Sequence, residues 1–142
     1  MATQPYLFFE GKTEEALQFY AEALGLQTQM LLRYSHAPGG TAKCPDGSTP
    51  PGDKVMHSSS LVGGTLLMAS DGLCSGRPNF SGFALSFEAK DEADAKKRFD
   101  ALTQEGTVTA PLMETFFAKA FGMVTDRFGV SWMIIAGPKH VG

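Results

Sequence analysis

Hydrophobic positions in the first half of the chain predict a strand, a helix and then three more strands. An apolar run at residues 6–9, closed by Gly11, is typical of a short buried strand. Apolar residues spaced by three and four over residues 16–24 predict one face of a helix, with Thr13 as its N-cap and Gly25 at its end. Later apolar segments predict three further strands, at residues 29–34, 55–61 and 65–70.

The second half of the chain repeats this order. Asp91 takes the place of Thr13 as helix cap, 78 residues later (91 minus 13), and Gly106 ends the second helix. The apolar face of that helix consists of Ala95, Phe99 and Leu102. Strands are predicted around it, at residues 83–87, 108–113, 121–125 and 130–135. We therefore predict an α+β fold in which two βαβββ modules form a curved mixed sheet around a concave cleft, with the helices outside.

Size and composition fit one packed globular domain. The chain has 142 residues, 43% hydrophobic and 19% charged, with a formal net charge of −3. We expect a single domain over residues 1–142, with modules at about 5–71 and about 80–137. No cluster of Lys or Arg forms a basic patch for binding nucleic acid, and no apolar run is long enough to span a membrane. Cys44 and Cys74 form no C-x-x-C and no export signal is visible, which predicts free thiols in a cytoplasmic protein.

Three segments of the chain carry a family resemblance. They read PYLFFEGKTEEALQFYAEALG near the start, KVMHSSSLVGGTLLMASD in the middle and ETFFAKAFGMVTDRFGVSWMI near the end. In these segments the chain resembles the PhnB-like branch of the vicinal oxygen chelate superfamily, which also contains glyoxalase I, extradiol dioxygenases, fosfomycin resistance proteins and bleomycin-binding proteins. The resemblance implies paired βαβββ modules around a cleft, usually in a homodimer. It implies no single reaction, because one fold hosts many functions.

Proteins of this branch have been labelled demethylubiquinone methyltransferases, a label that the sequence does not support. A Rossmann-type methyltransferase needs a glycine-rich turn between its first parallel strand and the following helix. The equivalent stretch here, FFEGKTEEA, contains one glycine.

The metal-binding positions implied by the resemblance hold unsuitable side chains. Enzymes of the superfamily bind a divalent metal through His, Gln or Glu on the first and last strands of each module. The equivalent positions here are Pro5, Met68, Phe83 and Met133. A hard divalent cation prefers oxygen or imidazole donors over a thioether. We therefore expect no cofactor and no metal at these positions, although a divalent metal at another place is compatible with the sequence.

Alternation along the strands predicts an apolar lining for the cleft. If Met133 faces the cleft, Ser131 and Ile135 face it too, and Trp132 faces the helix. The same parity predicts that the cleft is also lined by Leu66, Met68 and Ser70, by Leu7 and Phe9, and by Phe83, Leu85 and Phe87. His57 and Phe117 are added from outside these strands. The predicted small-molecule site therefore consists of Leu7, Phe9, His57, Met68, Phe83, Leu85, Phe117 and Met133. The alternative for Met68 and Met133 is that they fill the core.

Two residues are candidates for chemistry. His57 is suited to a proton shuttle or a ligand anchor, or to a structural bond with a backbone carbonyl. The neighbouring Ser58–Ser60 predict a strand face that meets water or a polar ligand. Glu114, among apolar neighbours, is a candidate general base with a raised pKa, or alternatively half of a salt bridge. Asp126 is expected to bind backbone amides of its own turn, and Asp71 to cap the loop that follows it.

The preferred hypothesis is a dimeric, metal-free protein that binds or sequesters an apolar or aromatic small molecule. The alternative is an enzyme of the superfamily, a lyase, isomerase or dioxygenase. It would use a relocated metal on His57 and Glu114, or a metal-free acid–base pair. A third, weaker hypothesis is a dimeric interaction module without a pocket. Neither nucleic acid nor membrane is expected as a partner.

Overall fold

A computed structural model describes residues 2–36, 43–44, 47–72 and 77–139. Within them the chain forms two α-helices, one short 3₁₀ helix (Tyr34–His36) and eight strands in two compact units, Met1–Pro78 and Asn79–Gly142. Unit 1 contains β1 (Tyr6–Phe8), α1 (Thr13–Leu24), β2 (Gln27–Arg33), β3 (Val55–Val62) and β4 (Thr65–Ser70). Unit 2 contains β5 (Leu85–Glu88), α2 (Glu92–Leu102), β6 (Thr107–Met113), β7 (Ala118–Thr125) and β8 (Ser131–Pro138).

Both units have the same topology. The sheet of unit 1 has the strand order β1-β4-β3-β2, and that of unit 2 has the order β5-β8-β7-β6. In each sheet the first pair is parallel and the other pairs are antiparallel. The predicted α+β class and the repeated βαβββ order are confirmed. Extension of the domain over the whole chain stays a prediction.

Helix α1 buries the predicted apolar stripe but starts differently from the prediction. Thr13 is the first helical residue, and Lys12 at the N-cap position makes no side-chain capping bond. The acceptor for the helix start is instead Asp71, whose Oδ1 accepts from the Thr13 N–H at 3.0 Å and the Gly11 N–H at 2.9 Å. Gly25 ends the helix as predicted, in the left-handed region with φ 73°.

Helix α2 begins as predicted and ends early. Asp91 accepts from the Asp94 N–H at 2.7 Å, which confirms it as the N-cap. The helix ends at Leu102, and the prediction that Gly106 ends it is wrong. Gly106 is needed for another reason: a Cβ there would lie 2.5 Å from the Thr125 carbonyl oxygen.

Two buried aspartates hold the strand ends. Asp126 accepts from the N–H groups of Phe128 and Val130, and from the Trp132 indole N–H at 2.9 Å. These bonds confirm its predicted role in the turn. The Asp71 carboxylate reaches back across 58 residues to the start of α1. Its predicted capping of the loop that follows falls on residues 73–76, which lie outside the described residues.

The prediction of free thiols is wrong. Cys44 is buried and disulfide-bonded. The other cysteine of the chain, Cys74, lies outside the described residues. The cysteines therefore no longer support a reducing compartment.

Candidate functional site

The two faces of the unit 2 sheet differ in burial. Trp132, Ile134 and Ala136 of β8 are buried, on the side where α2 packs against β7 and β8. Ser131 and Met133 are half-buried on the opposite side. The predicted alternation along β8 is therefore confirmed, with Trp132 on the helix side and Met133 on the other.

The predicted parity of β1 is wrong. In the parallel register Tyr6 lies beside Met68, and Leu7 lies beside the fully buried Ala69. Leu7 therefore faces the helix side, and Phe9 is also fully buried, with its ring centroid 6.1 Å from that of Tyr20 on α1. A slip of one residue moves every side chain to the other face. Tyr6 and Phe8 take the positions that were predicted for Leu7 and Phe9.

The same slip affects β5. Leu85 lies beside Trp132, and Phe87 lies beside Ile134, so both belong to the helix side. Ser86 is the residue beside Met133. The prediction that Leu85 and Phe87 share the face of Met133 is therefore wrong. Phe83 lies before β5 and is 46% exposed.

The open face of unit 1 is the sheet surface that α1 does not cover. We define it by Tyr6, Phe8, His57, Ser59, Leu66 and Met68. The Tyr6 hydroxyl lies 3.2 Å from Nδ1 of His57, and the Tyr6 ring centroid is 5.0 Å from that of Phe8 and 5.7 Å from that of His57. If the phenol donates, the proton of the neutral imidazole is on Nε2. The described hydrogen-bond partner of His57 is thus the Tyr6 side chain, and not the backbone carbonyl of the structural alternative.

The serines next to His57 are not on a wet face. Ser58 and Ser60 are fully buried beside Ala69 and Leu67 on the helix side. The Ser58 hydroxyl donates to the Ala69 carbonyl oxygen at 2.7 Å. The Ser60 hydroxyl has no hydrogen-bond partner among the described residues. Only Ser59 of the three shares a face with His57 and Met68, so the predicted polar face is wrong for the other two.

Glu114 does not have the environment of a general base. It is exposed, and its Oε2 accepts from Nζ of Lys139 at 2.5 Å. The hydrogen bond from Lys139 is the main cause that lowers the pKa of Glu114, and the charges of Lys139 and Lys119 act in the same direction. The predicted raised pKa is therefore wrong, and the salt-bridge alternative is confirmed. The Phe117 ring nearby packs edge-on against Phe121, with centroids 5.0 Å apart.

The implied metal positions do not fit a hard divalent cation. Pro5 contributes its carbonyl oxygen to the sheet, where it accepts from the Met68 N–H at 3.0 Å. Met68, Phe83 and Met133 have no oxygen or nitrogen in their side chains. The part of the chain that the structure describes contains no group of three or more His, Cys, Asp or Glu able to hold a metal.

Sequence and structure comparisons identify the family. The family model described as 3-demethylubiquinone-9 3-methyltransferase matches residues 1–135. The chain belongs to this family. Protein YjdN of Escherichia coli strain K12 is 33% identical over 138 residues, which cover 94% of each chain.

Solved structures share the fold of this chain. Protein PA1353 from Pseudomonas aeruginosa is 35% identical, with a TM-score of 0.80 and coverage of 96% of this chain and 98% of that one. A PhnB protein from Bacillus cereus is 25% identical, with a TM-score of 0.77 and coverage of 96% and 100%. A glyoxylase/bleomycin resistance protein/dioxygenase domain from Frankia sp. EAN1pec is 14% identical over 99% of this chain and 94% of that one, with a TM-score of 0.59, and shows the fold alone. The predicted membership of the PhnB-like family is thereby confirmed, and the chain has the fold of a glyoxylase-like domain.

No described helix is both long and apolar enough to cross a membrane.

Proposed function

We propose that this chain binds an apolar or aromatic small molecule on the open face of unit 1, without a metal ion. The observation that supports this most is the cluster of Tyr6, Phe8 and His57 beside Met68. Phe8 is 38% exposed, and none of the four side chains is fully buried, so together they form an accessible apolar patch.

The chemistry of this face suits a flat ligand. Aromatic rings attract a second ring through offset or edge-on contacts, and a thioether adapts to varied shapes. His57 adds one directional group. With Nδ1 next to the Tyr6 hydroxyl, its Nε2 is the ring nitrogen left to bind a carbonyl or hydroxyl of the ligand. Predominantly apolar walls with few polar anchors are the usual composition of a small-molecule site.

A degenerate metal site is part of this proposal. Met68 and Met133 stand where metal-binding relatives have a donor, and Glu114 is held by Lys139. No observation favours the alternative of an enzyme with a metal on His57 and Glu114. The roles of Phe83, Phe117 and Met133 in ligand binding stay predictions for unit 2.

We further infer that the activity in the family's description is not that of this chain. The loop between β1 and α1 contains the single glycine Gly11, and β1 is parallel only to β4. A methyltransferase of the Rossmann type requires a largely parallel sheet with a glycine-rich first turn.

The test is a thermal-shift screen of aromatic and apolar compounds in EDTA, followed by calorimetry on the best compound. Saturable stabilisation is expected. We expect His57→Leu and Phe8→Ala each to weaken binding about tenfold, the scale of one lost hydrogen bond or ring contact. His36→Leu is the matched control, because His36 is exposed, lies outside the open face, and accepts its one described hydrogen bond from the Arg33 backbone N–H. Binding that needs added metal, or that both variants leave unchanged, would refute the proposal.

A homodimer also remains part of the proposal. Val108, Met113 and Phe116 of unit 2 are exposed apolar residues, and Phe116 is 77% accessible. Aromatic residues and Met are enriched at protein interfaces relative to the rest of the surface. Light scattering should give twice the mass of the chain, and Phe116→Asp should shift it towards monomer. Cytoplasmic location and the lack of a nucleic-acid partner stay predictions.

A further inference from the structure

Two methionines from neighbouring strands form a pair on the sheet of unit 2. Met123 of β7 lies directly opposite Met133 of β8 in the antiparallel register. Residues that pair in this way point to the same side of the sheet, and their Cβ atoms are about 4.5–5.5 Å apart. Both side chains are half-buried, on the side of the sheet that α2 does not cover. Two thioether sulfurs can therefore approach one point above this side.

A third methionine stands on the next strand. Met113 of β6 lies opposite Phe121, which is two residues from Met123 along β7. Residues two apart on a strand share a face, and diagonal neighbours are about 7–8 Å apart, within reach of a long side chain. Met113 is 59% exposed, so its flexible side chain has room to turn the sulfur towards the pair. Three adjacent strands thus each present one thioether to the same patch.

Filling of the core does not account for this arrangement. The core of unit 2 lies on the other side of the sheet, where Trp132 and Ile134 are buried and α2 packs against β7 and β8. None of the three methionines is among the buried residues of the unit. We define the thioether patch as Met113, Met123 and Met133.

The donors of the patch select the kind of ion. Thioethers are soft, polarisable ligands that suit Cu(I), whereas Mg²⁺, Ca²⁺ and Mn²⁺ prefer oxygen. A thioether carries no charge, so it leaves the charge of a bound ion uncompensated. Because the cost of removing an ion from water rises with the square of its charge, a half-buried neutral site favours a monovalent ion over a divalent one.

The charged residues on this side of the sheet agree with a cation. Glu88 of β5 lies beside Ile135, two residues from Met133 along the sheet, and so shares its face. Lys119 also shares the face, but it is four residues from Met123 along β7, roughly 13 Å in an extended strand. The carboxylate is therefore nearer to the thioether patch than the ammonium-bearing residue is.

We propose that the thioether patch of unit 2 binds one soft monovalent metal ion of the Cu(I) type. The expectation of no metal at Met133 concerned hard divalent cations, and the thioether that disfavours them is a ligand for Cu(I). No residue of the patch belongs to the open face of unit 1. The site therefore stands independently of the small-molecule binding proposed above.

The test begins with Ag(I), a soft monovalent ion that undergoes no redox chemistry under these conditions. The full-length protein is first treated with iodoacetamide, which blocks any free thiol, and is then titrated with silver nitrate in chloride-free buffer. NMR should show saturable shifts of the methyl groups of Met113, Met123 and Met133, at one ion per chain. Cu(I), kept reduced by ascorbate without oxygen and delivered from bicinchoninate, should bind the same groups. Zn²⁺ and Mn²⁺ should leave these methyl signals unchanged.

Variants that remove one sulfur identify the ligands. Met123→Leu and Met133→Leu keep the apolar volume. Even a residue outside the direct ligands of a metal contributes about 10- to 100-fold in affinity, so each variant should weaken Ag(I) binding at least about tenfold. Met30→Leu is the matched control, because Met30 is a 43% exposed strand methionine of unit 1.

Three results would overturn the proposal. The first is the absence of a saturable shift at the three methyl groups of the patch. The second is a folded variant carrying both Met123→Leu and Met133→Leu that binds Ag(I) as tightly as the unaltered protein. The third is Zn²⁺ binding to the same methyl groups with the affinity of Ag(I), since thioether donors should separate the two ions.

Discussion

The Asp71 carboxylate is the most informative single site for stability. It accepts four hydrogen bonds: the Thr13 hydroxyl at 2.7 Å, and the N–H groups of Gly11, Thr13 and Val55 at 2.9, 3.0 and 2.8 Å. Asp71, Thr13 and Val55 are all buried, at 6%, 0% and 1% exposure. One side chain thus joins the start of α1, the start of β3 and the end of β4.

The cost of losing this acceptor depends on the donors that it satisfies. A hydrogen bond to a charged group contributes about 1.5–3 kcal/mol, and a buried donor left unpaired costs about 1–3 kcal/mol. In Asp71→Ala, three buried donors lose their acceptor, while water satisfies the part-buried Gly11 N–H. With partial relaxation, we expect a loss of about 3–5 kcal/mol.

Asp71→Asn gives a graded version of this perturbation. The amide oxygen of the new side chain accepts the three hydrogen bonds of Oδ1. Its NH₂ group replaces Oδ2 and faces the Val55 N–H, so two donors meet without an acceptor. We expect a loss of about 2–3 kcal/mol. Asp53→Asn is the matched control, because Asp53 is exposed in the same unit, and it should change stability by less than about 0.5 kcal/mol.

Urea denaturation is the assay, with spectroscopic probes that report the units separately. The three tyrosines lie in unit 1, and the one tryptophan, Trp132, lies in unit 2. Amide exchange should also accelerate at Thr13 and Val55 in Asp71→Asn. If the Asn variant lost no more stability than Asp53→Asn, with unchanged exchange at these amides, the account of Asp71 would be refuted.

Three other predictions concern packing and titration. Ser60→Ala should be neutral or stabilising, since it removes a buried hydroxyl that has no partner among the described residues, whereas Ser58→Ala should cost about 1 kcal/mol. Urea denaturation compares the two variants, and a larger loss of stability in Ser60→Ala than in Ser58→Ala would contradict the prediction. Gly106→Ala should lower stability by more than about 1 kcal/mol, because its Cβ would meet the Thr125 carbonyl, and an unchanged melt would refute that contact. The Glu114 carboxyl should titrate below the ordinary glutamate pKa in NMR, and Lys139→Met should return the pKa towards it. Because this pKa is lowered, any stabilisation by the pair is present above the ordinary pKa and is lost as pH falls through the lowered value.

The order of helices and strands could be predicted from the sequence because the apolar residues follow a regular spacing in both halves of the chain. The apolar stripes of α1 and α2 follow the spacing of a helix, and the glycine turns separate the hairpin strands. Strand boundaries were less accurate: β7 begins at Ala118, three residues before the predicted start at Phe121. Small residues such as Ala118 and Ala120 give a weak periodic signal.

The composition of the candidate site was predicted only in part. His57 and Met68 lie on one face as expected, but Tyr6 and Phe8 were missed. The run Tyr6-Leu7-Phe8-Phe9 is apolar at every position, so alternation within it cannot show which residues face the helix. Only the pairing of β1 with β4 determines the parity, and that is a tertiary contact.

Polar contacts between residues far apart in the sequence could not be predicted either. Asp71 and Thr13 are 58 positions apart, and nothing in the local pattern around Asp71 separates an acceptor for a distant helix from a turn residue. A cavity of unit 1 lined by Tyr34, Pro50, Lys54 and Asp71 depends on the same contact, since four separate segments meet there.

The most direct test of the central claim follows the Met68 methyl group by NMR. The protein is treated with EDTA and titrated with the strongest aromatic ligand from the screen. We predict a saturable shift of the Met68 methyl and of the Tyr6 and His57 ring signals, with the same dissociation constant when Mn²⁺ is added. No shift at these groups, or a shift that appears only with the divalent ion, would contradict metal-free binding on this face.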